Sequence, residues 1–207
     1  MRYDAEHKER TRARVLKEAA KAIRAEGPHR IGVAGVMAKA GLTHGGFYAH
    51  FASKDDLVIA AMSRMFDEAS AKFDSLTAGK PHAEALQAYM DFYLSKQHRN
   101  ARDTGCPLPS LSADLPRLGD AARRQFAAGV AGLTARIGGL LSALGRPDAE
   151  ILASSALAEM VGALSLARGV ADPKQSDAIL KASRNGLKLR LGLAESDWAR
   201  QAPRGAP

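Results

Sequence analysis

Residues 41–54 read GLTHGGFYAHFASK, and this stretch decides the predicted fold. Gly41 follows a short helical run and predicts a turn, because glycine readily adopts the backbone conformations that tight turns need. Thr43 is placed to cap a second helix and Ser53 to cap a third. Two short helices joined through a turn that contains glycine form a helix-turn-helix, whose second helix enters the major groove of DNA. The segment therefore predicts a unit that binds double-stranded DNA.

The second of these helices, predicted over Thr43–Phe51, has an apolar and a polar side. Phe47 and Phe51 lie four residues apart, so they share one face and point into a small three-helix core. Gly45 and Gly46 are costly in a helix, and we interpret them as allowing a close approach to base edges. His44 projects from the first turn, where base contacts usually begin. The remaining polar candidates, for phosphate contacts, are Tyr48, His50 and Lys54.

The basic charge of the chain is concentrated next to this segment. Residues 1–54 carry 11 Lys and Arg against 5 Asp and Glu, whereas residues 55–207 carry 19 against 17. This distribution is typical of a domain that binds phosphates, followed by a nearly neutral partner domain. A basic face that is merely solvated remains the alternative interpretation of the charge alone.

Composition favours an all-α protein of the cytoplasm. Alanine and leucine are abundant, and the apolar share is 46% with only 5% aromatic residues. The N-terminus is too charged for a signal peptide, and no uninterrupted apolar run reaches the ~18–20 residues of a membrane span. A single cysteine excludes an intramolecular disulfide framework, which indicates a reducing compartment. We expect no contact with a membrane.

Helical periodicity continues along the chain and predicts about nine helices. Gly129, Gly132, Gly138 and Gly139 weaken the long helix predicted over 119–144, and they favour close helix packing or a ligand cavity there. The last two helices, 148–168 and 173–193, carry apolar residues on more than one side, so we expect a homodimer through them. The other predicted helices span 5–25, 33–40, 43–51, 53–76, 82–98 and a short turn within 109–115.

The chain resembles the TetR family of transcriptional repressors. The residues that carry the resemblance are Ala38–Gly41, Leu42-Thr43, Phe47-Tyr48, His50-Phe51, Ser53-Lys54 and Leu57, in the family's order and spacing. The resemblance implies a helix-turn-helix domain at 1–54 and a ligand-binding and dimerisation domain at 55–207. It also implies a homodimeric repressor on a pseudo-palindromic operator, released from DNA by a small-molecule effector.

Site roles follow from the resemblance by position. It implies phosphate contacts for Thr43, Tyr48, His50 and Lys54, and base contacts for His44, Gly45 and Gly46. The chain departs from the family at Gly32, where members often have a Thr or Ser that bonds a phosphate. A backbone N–H at the helix start is the substitute donor there, and Arg12 and Arg30 are weaker candidates for flanking contacts.

Cys106 is the candidate effector-sensing residue. It precedes Pro107, near a predicted helix start and downstream of Arg99 and Arg102, which are features that lower the pKa of a thiol and raise its reactivity. Repressors of the family that answer oxidants or electrophiles are similar in having Gly-Cys in this loop. In the alternative interpretation, Cys106 is a small buried apolar residue beside a non-covalent hydrophobic or acyl-type ligand. The candidate pocket residues are Tyr89, Met90, Tyr93, Leu111, Phe126 and Met160.

No pattern in the sequence indicates catalysis, a metal site or a cofactor. The six histidines have no metal-ligand spacing, and no phosphate-binding glycine loop or nucleophile elbow is present. A small thiol enzyme built on Cys106 and His98 is the alternative of a different class. The basic first quarter favours the regulator, because an enzyme does not need this charge asymmetry.

Overall fold

The computed structural model describes residues 2–193, and residues 194–207, which belong to the second predicted domain, lie outside the described part. The predicted all-α class is confirmed. The described residues form nine α-helices, a six-residue 3₁₀ helix that we call the recognition helix (His44–Ala49), and a 3₁₀ turn, Leu115–Arg117. The α-helices are α1 (Arg2–Glu26), α2 (Val33–Lys39), α3 (Lys54–Thr77), α4 (His82–Tyr93), α5 (Lys96–Asn100), α6 (Leu108–Leu111), α7 (Asp120–Ala143), α8 (Ala149–Gly169) and α9 (Pro173–Arg190).

The helix predicted over 82–98 is wrong in one respect, because the structure divides it into α4 and α5. Leu94 ends α4, and its N–H is bonded to the carbonyl of Met90. The hydroxyl of Ser95 then accepts a 3.0 Å hydrogen bond from the N–H of His98. A serine at this position provides the N-terminal cap of a new helix, so the apolar periodicity continues across a break in the backbone.

The first compact unit of the chain comprises the described residues up to Ser75 together with Asn100–Leu133. Its core joins α1, α2, the recognition helix and α3, and each fully buried large apolar side chain in it stabilises the fold by roughly 1.5–3 kcal/mol. The guanidinium of Arg24 in α1 is buried and donates a 2.8 Å hydrogen bond to the Glu68 carboxylate of α3. The largest core side chains are those of Ile23, Met37, Phe47, Phe51, Leu57, Met62, Met65 and Leu111.

The second compact unit comprises, among the described residues, Leu76–Arg99 and Thr134–Leu193. Helices α4, α8 and α9 pack on one another, with Leu157, Met160 and Leu164 of α8 buried between them. Ion pairs at the helix surfaces support this packing, including Lys188 to Asp91 at 2.8 Å and Arg190 to Glu159 at 2.9 Å. The unit thus joins the last two helices to α4.

Two helices, α7 and α8, are long and apolar enough to cross a membrane by length and composition alone. The sequence predicts both helices but did not indicate a membrane span in either, because charged residues interrupt their apolar runs. For α8 the core of a folded domain accounts for the composition, since nine of its residues are buried inside the second unit. These helices are therefore weak support for a membrane span.

The glycines of α7 differ in their surroundings. A Cβ atom built on Gly129 meets the ring of Phe66 at less than 3.0 Å, so this glycine allows α7 to lie directly against the ring. Phe66 is itself fixed by an edge-on contact with Phe126 at 5.9 Å between ring centroids. A Cβ on Gly139, in contrast, meets nothing within 4 Å. The expectation of close packing is therefore confirmed for Gly129.

Candidate DNA-binding interface

The turn before the recognition helix depends on Gly41. Its φ angle is +71°, in the left-handed region that side chains disfavour. The N–H of Gly41 bonds to the carbonyl of Ala38, and the N–H of Leu42 bonds to that of Met37 at 2.9 Å. These bonds satisfy the carbonyls at the end of α2 and reverse the chain toward the recognition helix.

The recognition helix is a 3₁₀ helix rather than the α-helix that the sequence predicts. Gly45 and Gly46 each weaken an α-helix by about 1 kcal/mol relative to alanine. The segment closes instead with the shorter bonds of a 3₁₀ helix, such as the one from Gly46 N–H to the Thr43 carbonyl at 3.2 Å. Thr43 holds the N-cap position, but its side chain makes no capping bond, so the predicted cap is wrong.

Phe47 and Phe51 anchor the recognition helix in the first unit. Both side chains are buried, and their rings stack with centroids 5.6 Å apart. Because these two positions point inward, the helix presents Thr43, His44, Gly45 and Tyr48 outward, all exposed. The ring of Tyr48 is 71% exposed and touches Phe47 edge-on, so its hydroxyl is available to an external partner.

The two glycines of the recognition helix have different environments. A Cβ on Gly45 meets nothing within 4 Å, whereas a Cβ on Gly46 meets the terminal methyl of Met37 at 3.7 Å. Gly45 therefore leaves an open surface for the approach of a base edge. Gly46 is half-buried, and a Cβ atom built on it points toward α2. Its backbone nevertheless adjoins the open surface at Gly45.

His50 lies at the end of the recognition helix, half-buried beside Phe51. Its Nδ1 atom is buried and has no hydrogen-bond partner among the described residues. Burial lowers the pKa of His50 below the ordinary 6.5, and the positive charges of Lys8 and Arg12 lower it further. The imidazole is therefore a neutral group at pH 7 in the free protein, within reach of two cations of α1.

Lys54 and Ser53 organise the start of α3. The Ser53 hydroxyl accepts a 3.1 Å hydrogen bond from the N–H of Asp56, which confirms the predicted cap, and the Asp56 carboxylate accepts one from the N–H of Ala52. The Lys54 ammonium donates a 3.0 Å hydrogen bond to the carbonyl of His29. Lys54 thus ties the loop between α1 and α2 to α3, a role that the sequence did not indicate.

Gly32 is the N-cap residue of α2, with an extended backbone (φ −97°, ψ 129°) and no side chain to cap the helix. Nothing lies within 4 Å of a Cβ built there. The position is therefore exposed, and its backbone suits a residue with a side chain. Arg30 is exposed, and Arg12 lies with its guanidinium carbon 4.9 Å from the centre of the Phe51 ring.

The candidate effector residues lie in different parts of the chain. Cys106 is a buried thiol of the first unit, 8% exposed, and is not part of a disulfide. Leu111 is buried and Phe126 half-buried in that same unit. In the second unit the buried members are Tyr89, Met90, Tyr93 and Met160, and the rings of Tyr89 and Tyr93 have centroids 5.8 Å apart.

His98 is too weak a base to serve a catalytic cysteine at neutral pH. It is buried, its Nδ1 is 2.8 Å from the carbonyl of Tyr93, and its ring stacks on Phe92. Because a carbonyl oxygen only accepts, Nδ1 carries the proton of the neutral ring. Burial lowers the pKa of His98 to about 4, so the ring is neutral and held in place.

Lys8 is the residue near this surface that sequence reasoning missed. The available signal was its spacing: Lys8 and Arg12 are four residues apart, and so share a face of α1 with the buried Thr11 and Val15. That face packs toward the recognition helix. Lys8 was overlooked because its contribution depends on a tertiary neighbour, His50, which lies 42 positions further along the chain.

The N-terminal part of the chain matches a known family. Residues 15–61 match the model of the bacterial regulatory proteins, tetR family, a range that includes α2, the recognition helix and the start of α3. A comparison with curated protein sequences gives no match.

Solved structures share the fold along most of the chain. A TetR transcriptional regulator from Chloroflexus aurantiacus is 25% identical with a TM-score of 0.77, covering 90% of this chain and 96% of that one. The reduced form of Escherichia coli NemR is 21% identical with a TM-score of 0.75, covering 86% and 95%. SCO4454 of Streptomyces coelicolor, a TetR-family regulator, is 22% identical with a TM-score of 0.73, covering 92% and 96%.

Proposed function

Because the chain belongs to the tetR family of bacterial regulatory proteins and is a DNA-binding transcriptional regulator, we propose that it is a cytoplasmic repressor. In this proposal residues 1–54 read the operator, and residues 55–207 form a homodimer and sense an effector that releases the DNA. The observation that carries the proposal is the outward row of Thr43, His44, Gly45 and Tyr48 on a short helix anchored by two buried phenylalanines.

The roles within this surface follow from position and chemistry. His44 and the open surface of Gly45 face base edges, with the backbone of Gly46 alongside. Thr43, Tyr48, His50 and Lys54 contact phosphates, which fix the orientation of the helix without reading sequence. For Lys54 this contact uses the ammonium hydrogens that remain after the bond to His29.

A homodimer through α8 and α9 accounts for apolar side chains that the single chain leaves exposed. Ile151 is 74% exposed, Leu166 62% and Leu189 68%, the first two on α8 and the third on α9. Ala158 and Gly162 of α8 are also exposed, and small residues allow two helix pairs to approach closely. A second copy of the same pair covers these residues as a four-helix bundle, and its two-fold symmetry matches a pseudo-palindromic operator.

The test of the dimer is Leu166→Glu, measured by sedimentation equilibrium. We expect a large shift toward monomer, because a charge is then buried at the centre of the interface. Ala71→Glu, on an exposed position of α3, is the control. Equal association of the two variants would contradict the assignment of this interface.

For the effector we propose capture of an oxidant or electrophile by Cys106. An aldehyde such as methylglyoxal gives a hemithioacetal, in which the sulfur adds to the carbonyl carbon and the proton passes to its oxygen. Hypochlorite oxidises the thiolate to a sulfenic acid and releases chloride. Cys106 is a thiol rather than part of a disulfide, which supports this chemistry, and NemR, with the same fold, has been described in a reduced form.

A non-covalent hydrophobic or acyl-type ligand is the second candidate effector. The buried Tyr89, Met90, Tyr93 and Met160 of the second unit favour it, since apolar and aromatic side chains line most ligand pockets. The burial of Cys106 also favours this alternative, because a reagent must reach the sulfur. A thiol enzyme is the least favoured function, given the lowered pKa of His98.

One experiment separates the proposed effectors. Purified protein is titrated with DNA from upstream of its own gene, reduced and then after methylglyoxal or hypochlorite, with Cys106→Ser alongside. We expect specific binding that treatment abolishes in the wild type but not in the variant. Binding that survives treatment would reject the covalent mechanism and retain the repressor. Absence of specific binding on this DNA would reject autoregulation.

A further inference from the structure

The recognition helix and α1 bring three nitrogen-bearing side chains together at one edge of the candidate interface. Lys8 and Arg12 lie one turn apart on the same face of α1. Arg12 lies 4.9 Å above the ring of Phe51, and the ring of His50 lies beside that same phenylalanine, with centroids 6.4 Å apart. Phe51 is buried, and both neighbours lie beside its ring.

Among residues 6–193, whose side chains are described, no carboxylate pairs with the positive charges of this group. Neither Lys8 nor Arg12 takes part in an ion pair among residues 6–193, where side chains are described, although Arg10 of the same helix is paired with Glu6. The buried Nδ1 of His50 also has no hydrogen-bond partner. Like charges placed together without an anion repel one another, which is costly unless an anion binds. The arrangement therefore has the charge and the unpaired nitrogen expected of an anion site.

We propose that Lys8, Arg12 and His50 together bind one phosphate of the DNA backbone, so that α1 and the end of the recognition helix hold the same phosphate group. The inference rests on the proposed DNA-binding function and goes beyond it by adding Lys8 and by assigning the three side chains to a single phosphate. The site orients the recognition helix from its C-terminal end, while Tyr48 contacts the backbone from the helix itself.

A phosphate at this site changes the protonation of His50. In the free protein the charges of Lys8 and Arg12, both on α1, add to burial and keep the ring neutral. A bound phosphate neutralises those charges and raises the pKa of His50, so that DNA binding takes up a proton. His50 therefore makes the affinity rise as pH falls from 8 toward 6.

The test measures the salt dependence of binding to an operator duplex selected by the wild-type protein. The variants are Lys8→Gln, Arg12→Met, which retains the packing on Phe51, and the double variant. Each phosphate contact that is lost reduces the magnitude of the slope of log K against log salt by about 0.9. We expect each single variant to lose a measurable part of this amount per protomer, and the double variant to lose no more than about 0.9 in total, because one phosphate is shared.

Lys17→Ala is the matched control. It removes an exposed positive charge from the opposite face of α1, because nine residues, or about two and a half turns, separate it from Lys8. We expect its slope to equal that of the wild type. His50→Gln serves the pH measurement, and we expect the gain in affinity between pH 8 and 6 to be smaller in this variant than in the wild type.

The outcomes are distinguishable. Single variants with wild-type slopes would overturn the site while leaving DNA binding intact. A double variant that loses about 1.8 per protomer, twice the value for one phosphate, would overturn the sharing of a phosphate, since it indicates two separate contacts. A pH dependence in His50→Gln as large as that of the wild type would remove His50 from the site. If the wild type itself fails to bind any duplex in a salt-dependent manner, the DNA-binding function fails, and the site with it.

Discussion

The ammonium group of Lys54 donates a 3.0 Å hydrogen bond to the main-chain carbonyl of His29, across 25 positions of sequence. The bond joins the start of α3 to the loop that precedes α2. It therefore stabilises the frame in which the recognition helix is held, in addition to any contact with DNA. A residue that looks like a simple phosphate contact in the sequence has a structural role as well.

Lys54→Ala should therefore have two separable effects. Loss of an exposed hydrogen bond should lower the free energy of unfolding by about 0.5–1 kcal/mol. Loss of a phosphate contact should weaken binding to all duplexes alike and reduce the salt slope by about 1. Denaturant unfolding and salt titration measure the two effects. Lys80→Ala, in an exposed turn, is the control, and a variant with unchanged stability would contradict the structural role of the bond.

Gly32→Thr should strengthen DNA binding. The backbone at Gly32 already suits a side chain and the space around it is open, so the threonine hydroxyl is placed at the start of α2, where it can donate to a phosphate. Stability should change by only a few tenths of a kcal/mol, because glycine is nearly as good an N-cap as threonine. Gly32→Ala is the control, since it adds a Cβ without a donor. Equal affinities of the two variants would show that no phosphate lies within reach.

Gly129→Ala and Gly139→Ala should have opposite effects although both lie in α7. Alanine gains up to about 1 kcal/mol over glycine in a helix. At Gly139 nothing opposes this gain, so thermal stability should rise. At Gly129 the new methyl group meets the Phe66 ring, and overpacking costs about 1–3 kcal/mol, so stability should fall. Phe66→Leu should partly restore the Gly129→Ala protein in calorimetry. A stabilised Gly129→Ala protein would contradict the observed packing.

His98 should make the folded protein less stable in acid. Its pKa is about 4 in the folded state and near 6.5 when unfolded, so between these values the unfolded chain binds a proton that the folded chain does not. The free energy of unfolding should fall from pH 7 to pH 5 by about 2 kcal/mol, at 1.36 kcal/mol for each pKa unit. Chemical denaturation at both pH values measures the difference.

His98→Gln should reduce this pH dependence, because the amide can still donate to the Tyr93 carbonyl but does not titrate. The exposed His82, replaced in the same way, provides the comparison and should retain the wild-type dependence. If both variants lose stability between pH 7 and pH 5 by the same amount as the wild type, another group is responsible.

Local patterns in the sequence predict much of this structure. The all-α class follows from helical periodicity, and the turn at Gly41 and the cap at Ser53 follow from residue types with known backbone preferences. The same local reasoning predicts which face of the recognition helix is buried, since Phe47 and Phe51 are spaced by one helical turn. The assignment of base and phosphate contacts remains a prediction.

What the sequence did not predict depends on long-range contacts. The pair of Arg24 and Glu68 spans 44 positions and the bond of Lys54 to His29 spans 25, and no periodicity indicates either. The recognition helix is 3₁₀ because two glycines weaken an α-helix while the two buried phenylalanines hold the segment in place. Helix propensities alone do not predict which form of helix results. The break between α4 and α5 lies inside a continuous apolar pattern, so only the capping by Ser95 reveals it.

The most direct test of the account is to select operator sequences from a randomised duplex pool with wild-type protein, His44→Ala and Tyr48→Phe, and to measure the affinity of each protein for every selected duplex. We predict that the wild type selects a pseudo-palindrome with half-sites about one helical turn, ~34 Å, or a multiple of it apart. His44→Ala should change the preferred bases, whereas Tyr48→Phe should weaken binding to all duplexes equally. Failure of the wild type to select any sequence, or uniform losses in both variants, would contradict the assignment of the recognition helix.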